Sequence, residues 1–408
     1  MVRRYFIPGR IELVGKHVDY AGGASLTCAI DRGLTVSVER LETPILRLES
    51  DSRRDRAELP LTSECAVPSE HWSTYAAAVI RRLQRDFPSV RQGLSVAIES
   101  TLPESAGLSS SSALVIAIAT AIVDFNGLRS LPEWTARMPS PLAEAEYFAA
   151  LETGAPYRDL PGDEGVGVAG GAQDPIAILC AQEGHCGLFG YLPAVSHRYV
   201  AWPEDYVLAI GVSGVEATKT GNARAAYNRT AQSVRAMVRA WNARSASAHP
   251  TLQAALLSSP DALAQLRQIA RECVDGFEPD YLVGRLEQYL VESTRLVPGA
   301  VAALATRQLA SFGDLIAESQ RLAESGLRNQ VPETVSLVQQ AQANGAVAAS
   351  AFGAGFGGAV WSMVPKESAT LFLEHWARAY AQSSPARQAQ SQFFLTSPSR
   401  GAHVLGND

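Results

Sequence analysis

Eleven consecutive small and apolar residues, Ala113 to Val123, constrain this chain more than any other stretch. A run of that length and character suits a helix buried on all sides. Directly ahead lie Leu102-Pro103-Glu104-Ser105-Ala106-Gly107-Leu108 and the four serines Ser109, Ser110, Ser111 and Ser112. Before those, Leu94 to Ser100 alternates Val96 and Ile98 with small or polar residues, as a strand does. A strand, a Pro/Gly turn and a serine-opened helix leave backbone N–H groups at the helix start without intrahelical partners. Added to the positive end of the helix dipole, they make an anion site. Gly107 would let a phosphate approach the backbone, and serine hydroxyls can donate to phosphate oxygens or ligate Mg²⁺. A plain serine N-cap on a core helix would read the same way. The loop has neither the lysine of the Walker pattern nor Gly-x-Gly-x-x-Gly, so a nucleotide held here is held by another kind of fold.

A length of 408 residues suggests two or three domains with sizeable cores. The net charge of −6 counts against nucleic acid or an anionic membrane surface as a partner. Any anionic ligand must therefore be held by local groups. The five cysteines, Cys28, Cys65, Cys180, Cys186 and Cys273, form no CxxC and suit free thiols in a reducing compartment. The opening segment breaks at Pro8, too early for a signal peptide, and every apolar run is too short to span a bilayer. A soluble cytoplasmic protein is expected.

Along the chain, residues 5–30 read as strand, Gly/Asp-rich loop, then strand or short helix. Arg32 to Leu41 alternates and is expected to pair as a hairpin with Ile45 to Leu48. Helices are expected over Trp72 to Phe87 and Ala143 to Thr153, strands at Ile176 to Leu179 and Tyr206 to Val212, and mostly helix over 222–345. A last helix, Ser368 to Gln382, and a strand, Gln392 to Thr396, close the chain. Gly353, Gly355 and Gly358 spell Gly-x-Gly-x-x-Gly, but the following Ala359 to Val364 reads as a strand rather than the helix a dinucleotide site needs.

Three separated stretches read together. They are Pro8-Gly9-Arg10-Ile11-Glu12-Leu13-Val14-Gly15-Lys16-His17-Val18-Asp19-Tyr20-Ala21-Gly22-Gly23, the serine loop, and Gly353-Ala354-Gly355-Phe356-Gly357-Gly358. Their order and spacing resemble the GHMP kinases, and the first stretch resembles the galactokinase signature within that superfamily. Phe312 to Ser319 and Pro332 to Val338 are similar to the galactokinase C-terminal domain. The resemblance implies an α+β, two-domain GHMP kinase fold. Residues 1–195 would form a ribosomal-protein-S5-like α/β domain and residues 196–408 a ferredoxin-like α+β domain, with ATP and sugar in the cleft between them. It implies a sugar 1-kinase that moves the γ-phosphate of ATP, with Mg²⁺, to the anomeric C1 hydroxyl of a galactose-like monosaccharide. The partner is then a small-molecule sugar, with no nucleic acid or membrane, and the protein a monomer or weak homodimer.

Phosphoryl transfer asks a protein to position two substrates and neutralise charge on the moving group. The resemblance makes Arg10 and Asp174 the central pair, with Asp174 as base or orienting acceptor for the sugar hydroxyl. Arg10 would keep Asp174 ionised and stabilise charge on the phosphate. It places His17, Asp19 and Gly171 against the sugar. Tyr227 either faces the sugar or is a core aromatic. Gly107 to Ser112 would hold ATP, with Ser111 on Mg²⁺; Glu146 is a second metal ligand or a solvated helix residue. The Gly353–Gly358 loop would brace the phosphate loop, or mark a close approach of two backbones.

One departure bears on the substrate. Galactokinases carry Gly-Glu-His where this chain has Gly15-Lys16-His17, and that glutamate accepts from the sugar's 6-hydroxyl. Lysine is a cationic donor and cannot accept. Lys16 in the sugar site therefore points to an acidic group at C6; Lys16 turned to solvent leaves neutral galactose. Gln173-Asp174-Pro175 replaces the family's Met-Asp-Gln, and Ser350-Ala351-Phe352 its Arg-Met-Thr. The rival is a catalytically silent galactokinase-like sensor of sugar and ATP acting through a protein partner; intact Arg10, Asp174 and Ser111 count against it.

Overall fold

The computed structural model describes residues 2–66, 71–104, 106–216 and 221–406, so Ser105 of the serine loop lies outside it. In chain order the first elements are β1 (Arg3–Val14), β2 (Ala24–Leu41), β3 (Ile45–Ser50), β4 (Asp55–Pro60), α1 (Thr74–Asp86) and β5 (Gly93–Ser100). Next come α2 (Ser110–Phe125), α3 (Pro132–Arg137), α4 (Pro141–Thr153), α5 (Gln173–Cys180), β6 (His185–Gly190), β7 (Val195–Ala201) and β8 (Tyr206–Val212). A run of helices follows: α6 (Gly221–Ser245), α7 (Leu252–Leu256), α8 (Ala262–Ala270), α9 (Pro279–Val291), α10 (Val297–Ala305), α11 (Leu309–Leu322) and α12 (Pro332–Ala343). The chain ends with β9 (Ala348–Ala351), β10 (Ala359–Pro365), α13 (Ala369–Ser383), β11 (Gln392–Thr396), β12 (Pro398–Ser399) and β13 (His403–Val404).

Among the described residues the strands form two sheets. The larger runs β13-β1-β2-β5-β3-β4, with β6, β7 and β12 attached beside β2; the smaller runs β11-β8-β10-β9. The chain passes from the first sheet to the second between Ala201 and Tyr206. After β11 it returns, adding β12 to β2 and β13 to β1. The expected closing strand is β11, and the return beyond it carries too few residues to announce itself as a strand in sequence.

The expected buried helix is α2. Ser112 through Val123, apart from the half-buried Leu114, are buried, and α2 packs against β1, β2, α1 and α4. Burying each Val or Ile of that run contributes roughly 1.5–3 kcal/mol. The smaller sheet is covered by α12 and α13, where Trp376, Tyr380 and Leu337 pack on Val360 and Ala351. A third apolar cluster, within α6 to α9, takes in Val18, Tyr20 and Ala21, and so fixes the loop after β1.

Two expected elements differ. β2 and β3 do not pair: β5 lies between them, antiparallel to β2 through Leu34–Leu41 and parallel to β3 through Leu46–Ser50. Leu94, Val96 and Ile98 bury on the core face, and burying that third apolar strand centrally gains more than a local hairpin would. Gly93 permits it, since a Cβ there would stand 1.8 Å from the Thr43 carbonyl oxygen. Residues 176–179 are helix α5 rather than strand; Ile176 and Ile178 bury equally well from a short helix, and Pro175 is tolerated in its first turn.

Candidate active site

Alternation along β1 puts Arg10 and Glu12 on one face, and β1 runs beside the start of α2. Arg10 binds the serine loop twice: its backbone N–H donates to Leu108 O at 3.3 Å and its Nη1 to Gly107 O at 2.7 Å. Its Nε donates to Asp174 Oδ1 at 2.7 Å. Burial works against the charged guanidinium, but the attraction and hydrogen bond of Asp174 outweigh it and hold the pKa above its ordinary value. Asp174 stands in the first turn of α5, where an acidic residue complements the helix dipole. Its Oδ2 accepts from Ser109 Oγ at 2.5 Å and Ser112 Oγ at 3.4 Å.

Ser109 precedes α2 in the left-handed conformation, φ 61°, and its side chain does not cap the helix. With that hydroxyl drawn to Asp174, the opening N–H groups of α2 are left for a ligand. Gly353 braces the loop: its φ is 77°, and a Cβ there would lie 2.9 Å from Gly107 O and 3.6 Å from Arg10 Nη2. The third glycine stretch therefore touches the serine loop and Arg10 together, through a close approach of two backbones.

The loop after β1 supplies the facing wall. Arg285 and Gln288 of α9 hold the carbonyls of His17 and Lys16. His17 Nε2 donates to Ala354 O at 3.1 Å, so Nδ1 accepts from Tyr20 OH at 2.9 Å. Burial, with the Arg285 charge, pushes its pKa down to about 3, so the ring is neutral. Burial raises Asp19 to about 6. Gly171 lies against Asp19: a Cβ would meet its Oδ2 at 2.3 Å. The Tyr227 ring lies 5.8 Å from His17, with its hydroxyl near Gly170.

These groups share one cleft of about 530 Å³, mouth included, lined by Arg10, His17, Asp19, Gly171, Asp174 and Tyr227 among others. Tyr227 thus stands on the wall rather than in the core. Ser112, expected at the nucleotide, lines it too, and so do Glu12, Glu152 and Gln173, which were not singled out as site residues in the sequence. Glu12 was legible in principle, two residues beyond Arg10 on an alternating strand.

Lys16 does not line this cleft, nor does it turn to solvent. It is 1% exposed, and its Nζ donates to Ser350 Oγ at 2.8 Å and Ser319 Oγ at 3.1 Å. Burial lowers its pKa, opposed by the charges of Glu292 and Glu12. Two departures from the galactokinase pattern are thus one contact: lysine replaces the family's glutamate, and Ser350, which it touches, replaces the family's arginine. An arginine at 350 would set two cations side by side in the interior. Glu146 is likewise displaced. Its Oε1 accepts from Ala194 N at 2.8 Å, toward the turn between β6 and β7. Six residues on, two-thirds of a turn around α4, Glu152 rather than Glu146 stands at the serines. Glu152 Oε2 accepts from Ser112 Oγ at 2.7 Å, and Oε1 lies 3.5 Å from Ser111 Oγ.

A hydroxyl and one carboxylate at a phosphate loop fit Mg²⁺, which keeps its waters and substrate phosphates and needs few protein ligands. Among the described residues no cluster of three or more His, Cys, Asp or Glu could cage a metal. Ser111 and Glu152 would hold the Mg²⁺ ion, and it would neutralise phosphate charge there. No helix among the described residues is long and apolar enough to cross a membrane.

Known proteins resemble this chain in sequence and fold. Residues 74–156 match the GHMP kinases N terminal domain, 300–382 the GHMP kinases C terminal domain, and 4–40 the galactokinase galactose-binding signature. The chain belongs to the GHMP kinases, with their two-domain fold and their use of ATP and Mg²⁺. Within that class it is a galactokinase-like sugar kinase. It is 29% identical to a galactokinase of Roseiflexus sp. (strain RS-1), over 91% of this chain and 86% of that one. It is 25% identical to one of Glaesserella parasuis serovar 5 (strain SH0165), over 98% and 94%. Its fold matches the Lactococcus lactis galactokinase complexed with galactose at a TM-score of 0.80 and 21% identity, covering 99% of this chain and 95% of that one. A D-glycero-D-manno-heptose 1-phosphate kinase matches more loosely, with a TM-score of 0.60 at 14% identity and complete coverage of both.

Proposed function

We propose that the enzyme transfers the γ-phosphate of ATP to the C1 hydroxyl of a neutral, galactose-like monosaccharide. The observation that carries this reading is the Arg10–Asp174 pair, bonded directly to the opening of α2 and facing His17, Asp19 and Tyr227 across one cleft. The open N–H groups of α2 receive the triphosphate, and Arg10 meets the negative charge that builds on the transferred group. Asp174 orients the attacking hydroxyl and accepts its proton as the oxygen bonds to phosphorus. When bound, Mg²⁺ neutralises phosphate charge beside Ser111 and Glu152. His17, Asp19 and Tyr227 bind the remaining sugar hydroxyls. Glu12, Asp19, Glu152 and Asp174 line the cleft with one arginine, and the Lys16 ammonium points away to Ser319 and Ser350, so a carboxylate at C6 would meet acidic groups without a lysine to receive it.

ADP release measured over a panel of neutral and acidic hexoses tests this, with phosphorus NMR locating the product phosphate. A C1-phosphate of galactose is expected. No ADP release with any sugar would favour a silent sensor, and a product phosphorylated elsewhere would overturn the C1 assignment.

A further inference from the structure

One polar atom in the cleft has no task in the mechanism above. Glu12 is 2% exposed, lines the cleft, and uses only one of its carboxyl oxygens. Oε2 accepts from Gln173 Nε2 at 2.8 Å. Oε1 is buried and has no hydrogen-bond partner among the described residues. A buried carboxyl oxygen left unmatched in a folded interior is costly and marks an expected ligand atom. The charges of Lys16 and Arg10 offset part of that cost, but neither bonds to Oε1. Lys16 donates to Ser319 and Ser350. Arg10 spends Nε and Nη1 on Asp174 and Gly107.

The position of Glu12 says which part of a ligand it would meet. Arg10 and Glu12 are i and i+2 on a regular stretch of β1, where Arg10, Ile11 and Glu12 pair in step with Ala29, Cys28 and Thr27. Side chains so spaced stand about 7 Å apart along the strand. Arg10 marks the phosphate end through Gly107 and Asp174, so Glu12 faces a group roughly one pyranose ring farther into the cleft.

We propose that Glu12 is a specificity-determining residue whose Oε1 accepts a hydrogen bond from a sugar hydroxyl on the side of the ring remote from the phosphorylated oxygen. This rests on the sugar-kinase reading above and narrows it: the substrate must offer a donor there. A substrate bearing a carboxylate at that point, or no hydroxyl at all, leaves Oε1 unmatched or repelled.

The test compares kcat/KM for galactose with its deoxyfluoro analogues at each ring position other than C1. Fluorine preserves size but cannot donate. Assayed above about pH 7, the value to which burial lifts Glu12, the carboxyl is ionised, and a hydrogen bond to that charged group corresponds to discrimination of about ten- to a hundredfold. Wild-type enzyme is expected to discriminate to that extent against the analogue fluorinated at the carbon remote from C1. In Glu12→Gln, Gln173 Nε2 keeps the amide oxygen, so the amide NH₂ faces the cleft and can donate to hydroxyl and, more weakly, to fluorine. That discrimination should collapse to about threefold or less, within the range of a weak polar contact. Should Glu12→Gln not fold, Glu12→Met, whose thioether is only a weak acceptor, is read the same way. Galactose turnover with unchanged discrimination in the variant overturns the role of Glu12 alone. No turnover of any sugar by wild type overturns the sugar-kinase reading with it.

Discussion

Replacing Asp174 by asparagine exchanges one carboxylate oxygen for an NH₂ group and changes little else in shape. The amide oxygen can keep the bond from Arg10 Nε, now 2.7 Å long. The NH₂ then faces Ser109 Oγ, 2.5 Å from the present Oδ2, and that hydroxyl can turn to accept. The network survives with its polarity adjusted, but the proton acceptor is gone. General-base assistance is worth about 10²- to 10⁴-fold, roughly 3–5 kcal/mol of barrier. Arg10 also loses its counter-charge, which costs folding stability; breaking a buried pair outright costs about 3–5 kcal/mol, and the retained hydrogen bonds keep this case below that. A coupled ADP assay at saturating ATP and sugar should show kcat reduced by at least about a hundredfold, with KM for ATP little changed because the phosphates rest on α2. Circular dichroism should show a folded protein melting somewhat earlier. A folded Asp174→Asn variant with kcat within about tenfold of wild type would refute the argument, since Asp174 is the carboxylate hydrogen-bonded to Arg10 beside the opening of α2.

Other perturbations separate the remaining roles. Lys16→Met removes the bonds to Ser319 and Ser350 and one of the cations that act on buried Glu292, and should cost about 1–3 kcal/mol in a denaturant titration while leaving sugar KM unchanged; a raised KM at unchanged stability would return Lys16 to the sugar site. Gly171→Ala drives a Cβ to within 2.3 Å of Asp19 Oδ2 and should raise sugar KM by about tenfold with kcat nearly intact, as displacement of a binding group does. Glu152→Gln should raise the Mg²⁺ concentration for half-maximal rate by about tenfold, recoverable at high Mg²⁺; an unchanged titration would remove Glu152 from the metal site. For pH, burial lifts Glu12 to about 7 and Asp19 to about 6, above their ordinary values. The folded state holds those protons more tightly, so the stability they contribute is complete below the unfolded values and is lost as pH rises through about 6 to 7. Glu12 accounts for about 3 kcal/mol of that loss, and Glu12→Gln should flatten the denaturation profile between about pH 5 and about pH 8. A profile equally steep in the variant would contradict the burial assigned to Glu12.

What could be read from the chain alone was whatever depends on local pattern. The apolar run 113–123 required a buried helix, and the apolar runs Tyr206–Val212 and Ala359–Val364 read as strands. Motif order was enough to name Arg10 and Asp174 as partners across 164 residues of sequence. Pairing and facing were decided elsewhere. β5 entered between β2 and β3 because a central apolar strand gains most by burial on both edges, which no local alternation expresses. Residues 176–179 became a helix because so short an apolar run satisfies either period. Glu146 and Glu152 lie on one helix with similar neighbours, and only the packing of α4 against α2 brought the second to the serines. Lys16 stands next to His17 yet points away from it, toward Ser319 and Ser350, residues more than 300 positions distant. A side chain's charge is written in sequence, whereas the direction it faces depends on which distant elements close around it.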